Sequence, residues 1–211
     1  MNMLSGFTKL TTVFIVALVT ATSAFAAGDP AAGERQAAAC AACHGQDGAT
    51  PLAPDYPKLA GQNEKNALAQ LKMIHDNTRN IALMAGQLNG KSEQDLADLA
   101  AYYASLPAKG AQASGTDEAL AIGEKIYKGG IADKGVAACA ACHSPNGNGN
   151  TQAGFPRING QPAAYTIAQL TAYREKVRAT DEAWGGMMRG VAEGLTDTEM
   201  ALVADYIQGL N

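Results

Sequence analysis

The chain has 211 residues, 20 acidic against 16 basic, and a formal net charge of −4. That balance excludes a nucleic-acid binder, since a phosphate backbone demands a basic face. Aromatic residues make up only 6% of the chain, thin for two cores of under about a hundred residues each, so small domains built from it need a staple: a disulfide, a metal or a large buried group.

In chain order, the first element runs from Lys9 through "TTVFIVALVTATSAFA" to Ala24-Phe25-Ala26. A short apolar core closed by a small-x-small triplet is the layout of a secretory signal peptide, residues 1–26, cut before Ala27. The competing reading, an uncleaved anchor, needs roughly 20 apolar residues in a row, whereas Thr and Ser interrupt this run. Nothing after Ala27 is apolar for long enough to span a bilayer, so the mature chain reads as soluble and exported. Cleavage removes Lys9 alone among the charged residues, which takes the formal charge to −5.

Asp29-Pro30 supplies an N-cap and an N1 proline for a helix running toward Cys40. Asn63 opens another, with Leu68, Leu71 and Ile74 at helical spacing; Met73 on it reads as packing and His75 as exposed. Ser92 with Asp95 predicts a capping box, after which Leu96, Leu99, Tyr103 and Leu106 mark one face of a last helix. The small-residue stretch "PAKGAQASGT" follows, and then the pattern begins again. No run alternates with period two for long enough to suggest a sheet.

The recurrence is residue by residue. "CAACHGQDG" from Cys40 returns as "CAACHSPNG" from Cys139, and "YPKLAGQ" from Tyr56 as "FPRINGQ" from Phe155, both ninety-nine residues later. The offset then becomes 104, pairing Met84 with Met188, Ser92 with Thr196 and Tyr102 with Tyr206; upstream it is ninety, pairing Gly33 with Gly123. Constant offsets broken by single length changes are the mark of duplication with loop insertions. The expectation is an all-α protein of two tandem domains, residues 27–108 and 117–211, joined by a linker at 109–116. In each, the Gly and Tyr positions predict an N-terminal helix crossing a C-terminal one, the missing side chain admitting an aromatic ring. Long Gly/Pro/Asn-rich loops, 45–56 and 144–155, need something to wrap around.

The CAACH word says what that is. Two Cys one helical turn apart can form thioethers with neighbouring vinyl groups of a flat macrocycle, and the next residue, His, then aims its imidazole at the central metal; this is the c-type haem attachment pattern. A disulfide framework would not require His44 and His143 in identical places. A zinc ribbon spaces its Cys pairs by roughly 15–20 residues, while ninety-five lie between Cys43 and Cys139. A thioredoxin-like pair needs a βαβ pattern that is missing. Two covalent haem c groups follow, on Cys40, Cys43, Cys139 and Cys142, with His44 and His143 as iron ligands.

Met84 and Met188 occupy matching loop positions before the last helices, forty and forty-five residues past their His, and are the candidates for the opposite axial ligand. Met187 adjoins Met188, and alignment of "MRGVAEGL" on "MAGQLNGK" favours Met188. Closing both axial positions leaves no place for oxygen or peroxide, so the sites suit electron transfer and no catalytic residue is expected; Met sulfur raises the potential. The rival class, a di-haem peroxidase, would need one open haem. Pro57 and Pro156 either offer a carbonyl to the imidazole N–H or only stiffen a turn. Lys58 and Arg157 either pair with haem propionates or are solvated charges. Trp184, in the second Met loop without a counterpart, reads as haem packing.

With its paired CAACH words, "YPKLAGQ" and "FPRINGQ", its Met loops, "CHSPNGNGN" and the ending "DYIQGL", the chain resembles the di-haem cytochrome c4 family over essentially its whole mature length. The resemblance implies two class I cytochrome c domains related by a pseudo-twofold axis, with haems near the interface and propionate edges facing. It implies a periplasmic carrier taking electrons from a donor such as a quinol-oxidising complex toward a haem-copper terminal oxidase, with peripheral membrane association permitted. It places the thioethers on Cys40, Cys43, Cys139 and Cys142 and the ligands on His44, Met84, His143 and Met188. "LMAGQLNG" departs from relatives by having Gln87 where a second Met is common.

Overall fold

The computed structural model describes residues 27–210; the expected leader, 1–26, lies outside the described residues. Each half of the chain is built from helices set around long loops. The first contains α1 (Pro30–Gln36), α2 (Ala38–His44), α3 (Glu64–His75) and α4 (Glu93–Ser105). The second contains α5 (Asp117–Gly129), α6 (Ala140–His143), α7 (Ala163–Arg174), α8 (Met187–Glu193) and α9 (Asp197–Gly209). Among the described residues the only β pairing is two isolated bridges, Ile131 with Val136 and Asn150 with Phe155.

Helix boundaries follow local chemistry. Asp29 accepts from the Ala31 N–H and Pro30 opens α1, satisfying a donor that has no partner inside the helix. Both predicted capping boxes form: Ser92 with Asp95 starts α4, and Thr196 with Glu199 starts α9. Asn63 accepts from the Asn66 N–H at 3.3 Å to start α3. The predicted run from Asp29 to Cys40 is divided at Ala37, where α1 ends and α2 begins.

In each half the first helix crosses the last at a glycine. A Cβ on Gly33 would lie 2.1 Å from the Asp98 carbonyl oxygen and 2.7 Å from Tyr102 Cβ; on Gly123 it would lie 2.4 Å from the Leu202 oxygen and 2.9 Å from Tyr206 Cβ. The missing side chain thus admits helix backbone most closely, with Cβ of the expected tyrosine next to it in each half.

The two halves fill their interiors unequally. Behind α6, Ile126, Tyr127, Leu170, Met200, Val203 and Ile207 belong to one continuous buried cluster, whereas the first half assembles only Ala37, Leu99 and Tyr103 in its own. The linker is tied down on both sides. Lys58 Nζ donates to the carbonyls of Lys109 and Gly110, and Lys109 pairs with Asp47 at 2.6 Å. From the other side, Asp205 accepts from Ser114 and Gly115, and Gln208 donates to the Gln112 carbonyl.

Gly33→Ala should destabilise the first half by about 2 kcal/mol or more, because a backbone oxygen cannot move aside as a side-chain tip can. Chemical denaturation should give the same sign for Gly123→Ala; wild-type stability in both variants would refute the close crossing.

Candidate functional site

Each CAACH word occupies a helix that ends at its histidine. α2 carries Cys40, Cys43 and His44, and α6 carries Cys142 and His143 with Cys139 as its N-cap. Beyond the histidine the chain must reverse, and it does so with positive φ: Gly45 at 83° in the first copy, Ser144 at 69° in the second. Serine is costly in that region, and here its hydroxyl accepts from the Asn148 N–H and donates to Asn146.

Both imidazoles are buried, each 7% exposed. His44 Nδ1 lies 2.9 Å from the Pro57 carbonyl and His143 Nδ1 lies 2.9 Å from the Pro156 carbonyl. Of the two readings of these prolines, the structure supports the first. A carbonyl only accepts, so Nδ1 carries the proton and Nε2 keeps its lone pair. Burial lowers both imidazole pKa values, with the carbonyl opposing it, which favours the neutral ring. Tyr56 and Phe155 stand at matched places, tilted to their histidines with ring centres 6.3 and 6.4 Å away.

The loops carrying these prolines are anchored alike. The amides of Leu59 and Ala60 donate to Gly48, those of Ile158 and Asn159 to Gly147, while Gly61 and Gly160 reach back to Tyr103 and Ile207 on the last helices. Among the described residues no disulfide joins any of the four cysteines, which leaves each sulfur available for a thioether. Burial pushes the Cys139 thiol up to about 11. Two thiols one turn apart, a neutral imidazole with a free Nε2, and a thin core beneath long loops fit a covalent haem in each half.

The predicted methionines divide. Met84 ends a 3₁₀ turn, Ala82–Met84, and is half-buried. Met188 departs from the expected loop: it lies in the first turn of α8, half-buried against the second core cluster, while Met187 is 42% exposed. Gly185 and Gly186, both with positive φ, end the preceding turn and allow that helix to begin. Met73 of the first half and Trp184 of the second line one cavity of about 360 Å³ with Ala69, Thr78, Ala179 and Thr180; Trp184 thus faces the domain boundary. His75 is exposed, as expected.

Sequence reasoning missed the residues that join the halves. Gln62 donates to the Arg157 carbonyl at 2.9 Å and accepts from its N–H at 2.8 Å; reciprocally, Gln161 donates to the Lys58 carbonyl at 2.8 Å and accepts from its N–H at 3.0 Å. Each primary amide replaces a stretch of partner backbone, and the exchange is twofold in form. The signal was present, since both glutamines close the repeated "YPKLAGQ" and "FPRINGQ", but a lone repeat does not say which copy a side chain addresses.

This architecture defines a tandem cytochrome c with one haem-binding unit per half. The family model for cytochrome c matches residues 30–107 and again 120–211. Cytochrome c4 of Pseudomonas aeruginosa is 45% identical over 188 residues, covering 89% of this chain and 92% of that protein. Cytochrome c4 of Azotobacter vinelandii is 46% identical over 198 residues, with the same coverage. The crystal structure of reduced recombinant cytochrome c4 from Pseudomonas stutzeri superposes with a TM-score of 0.83 at 43% identity, over 88% of this chain and all of that one. The chain belongs to the di-haem cytochrome c4 family: it is an electron carrier with two covalent haem c groups. Among the described residues no helix is long and apolar enough to cross a membrane.

Gln62→Ala strips both polar groups of the half-buried Arg157 backbone of partners, costing about 1–3 kcal/mol. Combined with Gln161→Ala it should split a single thermal unfolding transition into two; an unchanged single transition would show that the clasp does not couple the halves.

Proposed function

We propose that this protein is a periplasmic carrier of single electrons in a respiratory chain, and that each haem iron is held between histidine and methionine: His44 with Met84 in residues 27–108, His143 with Met188 in residues 117–211. Cys40, Cys43, Cys139 and Cys142 hold the rings through thioethers, and residues 109–116 link the domains. The observation that carries the reading is the matched pair of buried imidazoles whose Nδ1 atoms are committed to proline carbonyls, leaving one nitrogen each for a metal. For the second ligand, the support is the burial of Met188 against the core beside an exposed Met187, and the matched place of Met84.

A bound haem supplies a one-electron couple, tuned by its axial ligands, second-shell hydrogen bonds and burial. The chain's share is to keep imidazole and thioether in place, exclude water and hold the geometry through oxidation and reduction. Small reorganisation suits a carrier, and a closed pair of ligands disfavours the peroxidase alternative. On family grounds the acceptor is a haem-copper terminal oxidase and the donor a quinol-oxidising complex or other redox protein. Membrane association would be peripheral, through exposed side chains.

Optical spectroscopy tests the ligation. The wild type should contain two low-spin haems per chain, show the weak near-infrared ferric band of Met–sulfur ligation, and not bind carbon monoxide when reduced. Met188→Leu should remove about half of that band and open one haem to carbon monoxide, and Met187→Leu should do neither. A wild type with one high-spin, carbon-monoxide-reactive haem would move the peroxidase reading to the front.

A further inference from the structure

Two arginines close a ring across the domain boundary. Arg79, just beyond α3, donates to Gln70 Oε1 of its own half at 2.9 Å and to Gln169 Oε1 of the other at 3.0 Å. Arg178, just beyond α7, donates to Gln169 Oε1 at 2.7 Å and to Gln70 Oε1 at 3.0 Å. Each glutamine carbonyl thus serves both guanidiniums, and all four residues obey the ninety-nine-residue offset of the repeat. Further contacts fix the pair: Arg79 donates to the Tyr165 hydroxyl, and Arg178 donates to Thr180 and lies over the Tyr173 ring at 4.6 Å.

The electrostatics of this ring are incomplete as protein alone. Arg79 is 8% exposed and Arg178 half-buried, yet among the described residues neither pairs with a carboxylate. The second half's other buried-side arginines do: Arg174 with Asp197 at 2.7 Å and Arg189 with Asp181 at 2.8 Å. Burial, and then the neighbouring charge of Arg79, both push the Arg178 pKa down. Half-buried Arg157 adds a third cation at the same boundary, also without a carboxylate bonded to it among the described residues, and it feels the cost of burial. Withdrawing like charges together against neutral amides is unfavourable unless an anion completes the set. The described residues supply none to Arg79 or Arg178, whereas each haem, when bound, would bring a pair of propionates.

We propose that the Arg79–Gln70–Arg178–Gln169 ring is a counter-charge shared by the two haems, in which each guanidinium raises the reduction potential of both. A fixed positive charge in a poorly screened interior favours the reduced, less positive iron. Since each guanidinium is gripped by one glutamine from each domain, its charge cannot follow one haem alone. The inference rests on the His/Met ligation proposed above.

The test is a redox titration of the holoprotein in which each haem is followed by its own haem-methyl proton resonances. Arg79→Gln should lower the ferrous-to-ferric ratio of both haems about tenfold at fixed ambient potential, equivalent to 59 mV for a one-electron couple. Arg178→Gln should do the same, and Arg79→Lys should restore most of the loss. Should these variants fail to fold, Gln169→Glu keeps an acceptor for both guanidiniums, lowers the ring's net charge by one and should lower both potentials. A shift confined to the haem of the altered domain, or no shift, overturns the shared counter-charge. The near-infrared Met band, recorded on the same samples, separates the two readings: a wild type without it sinks the ligation, whereas an intact band with unmoved potentials sinks the ring alone.

Discussion

The hydrogen bond from imidazole Nδ1 to a proline carbonyl is the constraint around which each half is arranged. To make it at 2.9 Å in both copies, a loop thirteen residues downstream must return against the end of the cysteine helix. That return is what the remaining backbone contacts secure: one glycine carbonyl takes two amides of the loop, and the loop in turn is fastened to the last helix. The last helix is placed by its crossing with the first, where only glycine lets the backbones meet. Position of the imidazole, course of the loop and packing of the helices are therefore one problem with one solution, reached twice.

The same loops that orient the histidines also join the domains. Proline offers its carbonyl to the imidazole, the next residue, Lys58 or Arg157, offers its backbone to the other half's glutamine, and the repeat closes with the glutamine that reciprocates. The imidazole's partner and the interface share a single short segment. A displacement of one domain relative to the other would thus be felt within a residue of the imidazole's partner. Backbone recognition by primary amides suits this place, because it is indifferent to whether the side chain above is lysine or arginine, and the copies differ there.

Much of this was legible before any coordinates. Capping boxes at Ser92 and Thr196, the proline-opened first helix and the Gly33 and Gly123 crossings are local or short-period signals, and they formed as the residues indicated. What stayed hidden depended on which half a side chain reaches. Lys58 looked like a propionate partner, yet its ammonium sits on the linker carbonyls of Lys109 and Gly110. Trp184 reads as packing on a haem, and its place beside residues of the other half, lining one cavity with Met73, carried no sequence signal. Met188 looked like a loop residue, but the extra residues of its loop form a glycine-ended turn that starts a new helix. Periodicity reports the neighbours along a helix; it carries no information about contacts made across a duplicated interface.

Duplication has left the interface symmetric and the interiors unequal. Gln62 and Gln161 make the same bonds to the other half's backbone, and Arg79 and Arg178 the same bonds to Gln70 and Gln169, whereas the second half has a continuous buried cluster and the first only a small one. On the proposed ligation, Met188 is held by a helix turn packed on that cluster, while Met84 ends a 3₁₀ turn flanked by the exposed Leu83 and Ala85. A thioether fixed by packing keeps its bond to the iron at lower entropic cost than one on a solvent-washed turn. The halves then present dissimilar sites through a shared, charge-bearing boundary. On that ligation, dissimilar sites would bias the electron toward one haem, while the common boundary ties the two halves together through Gln62 and Gln161.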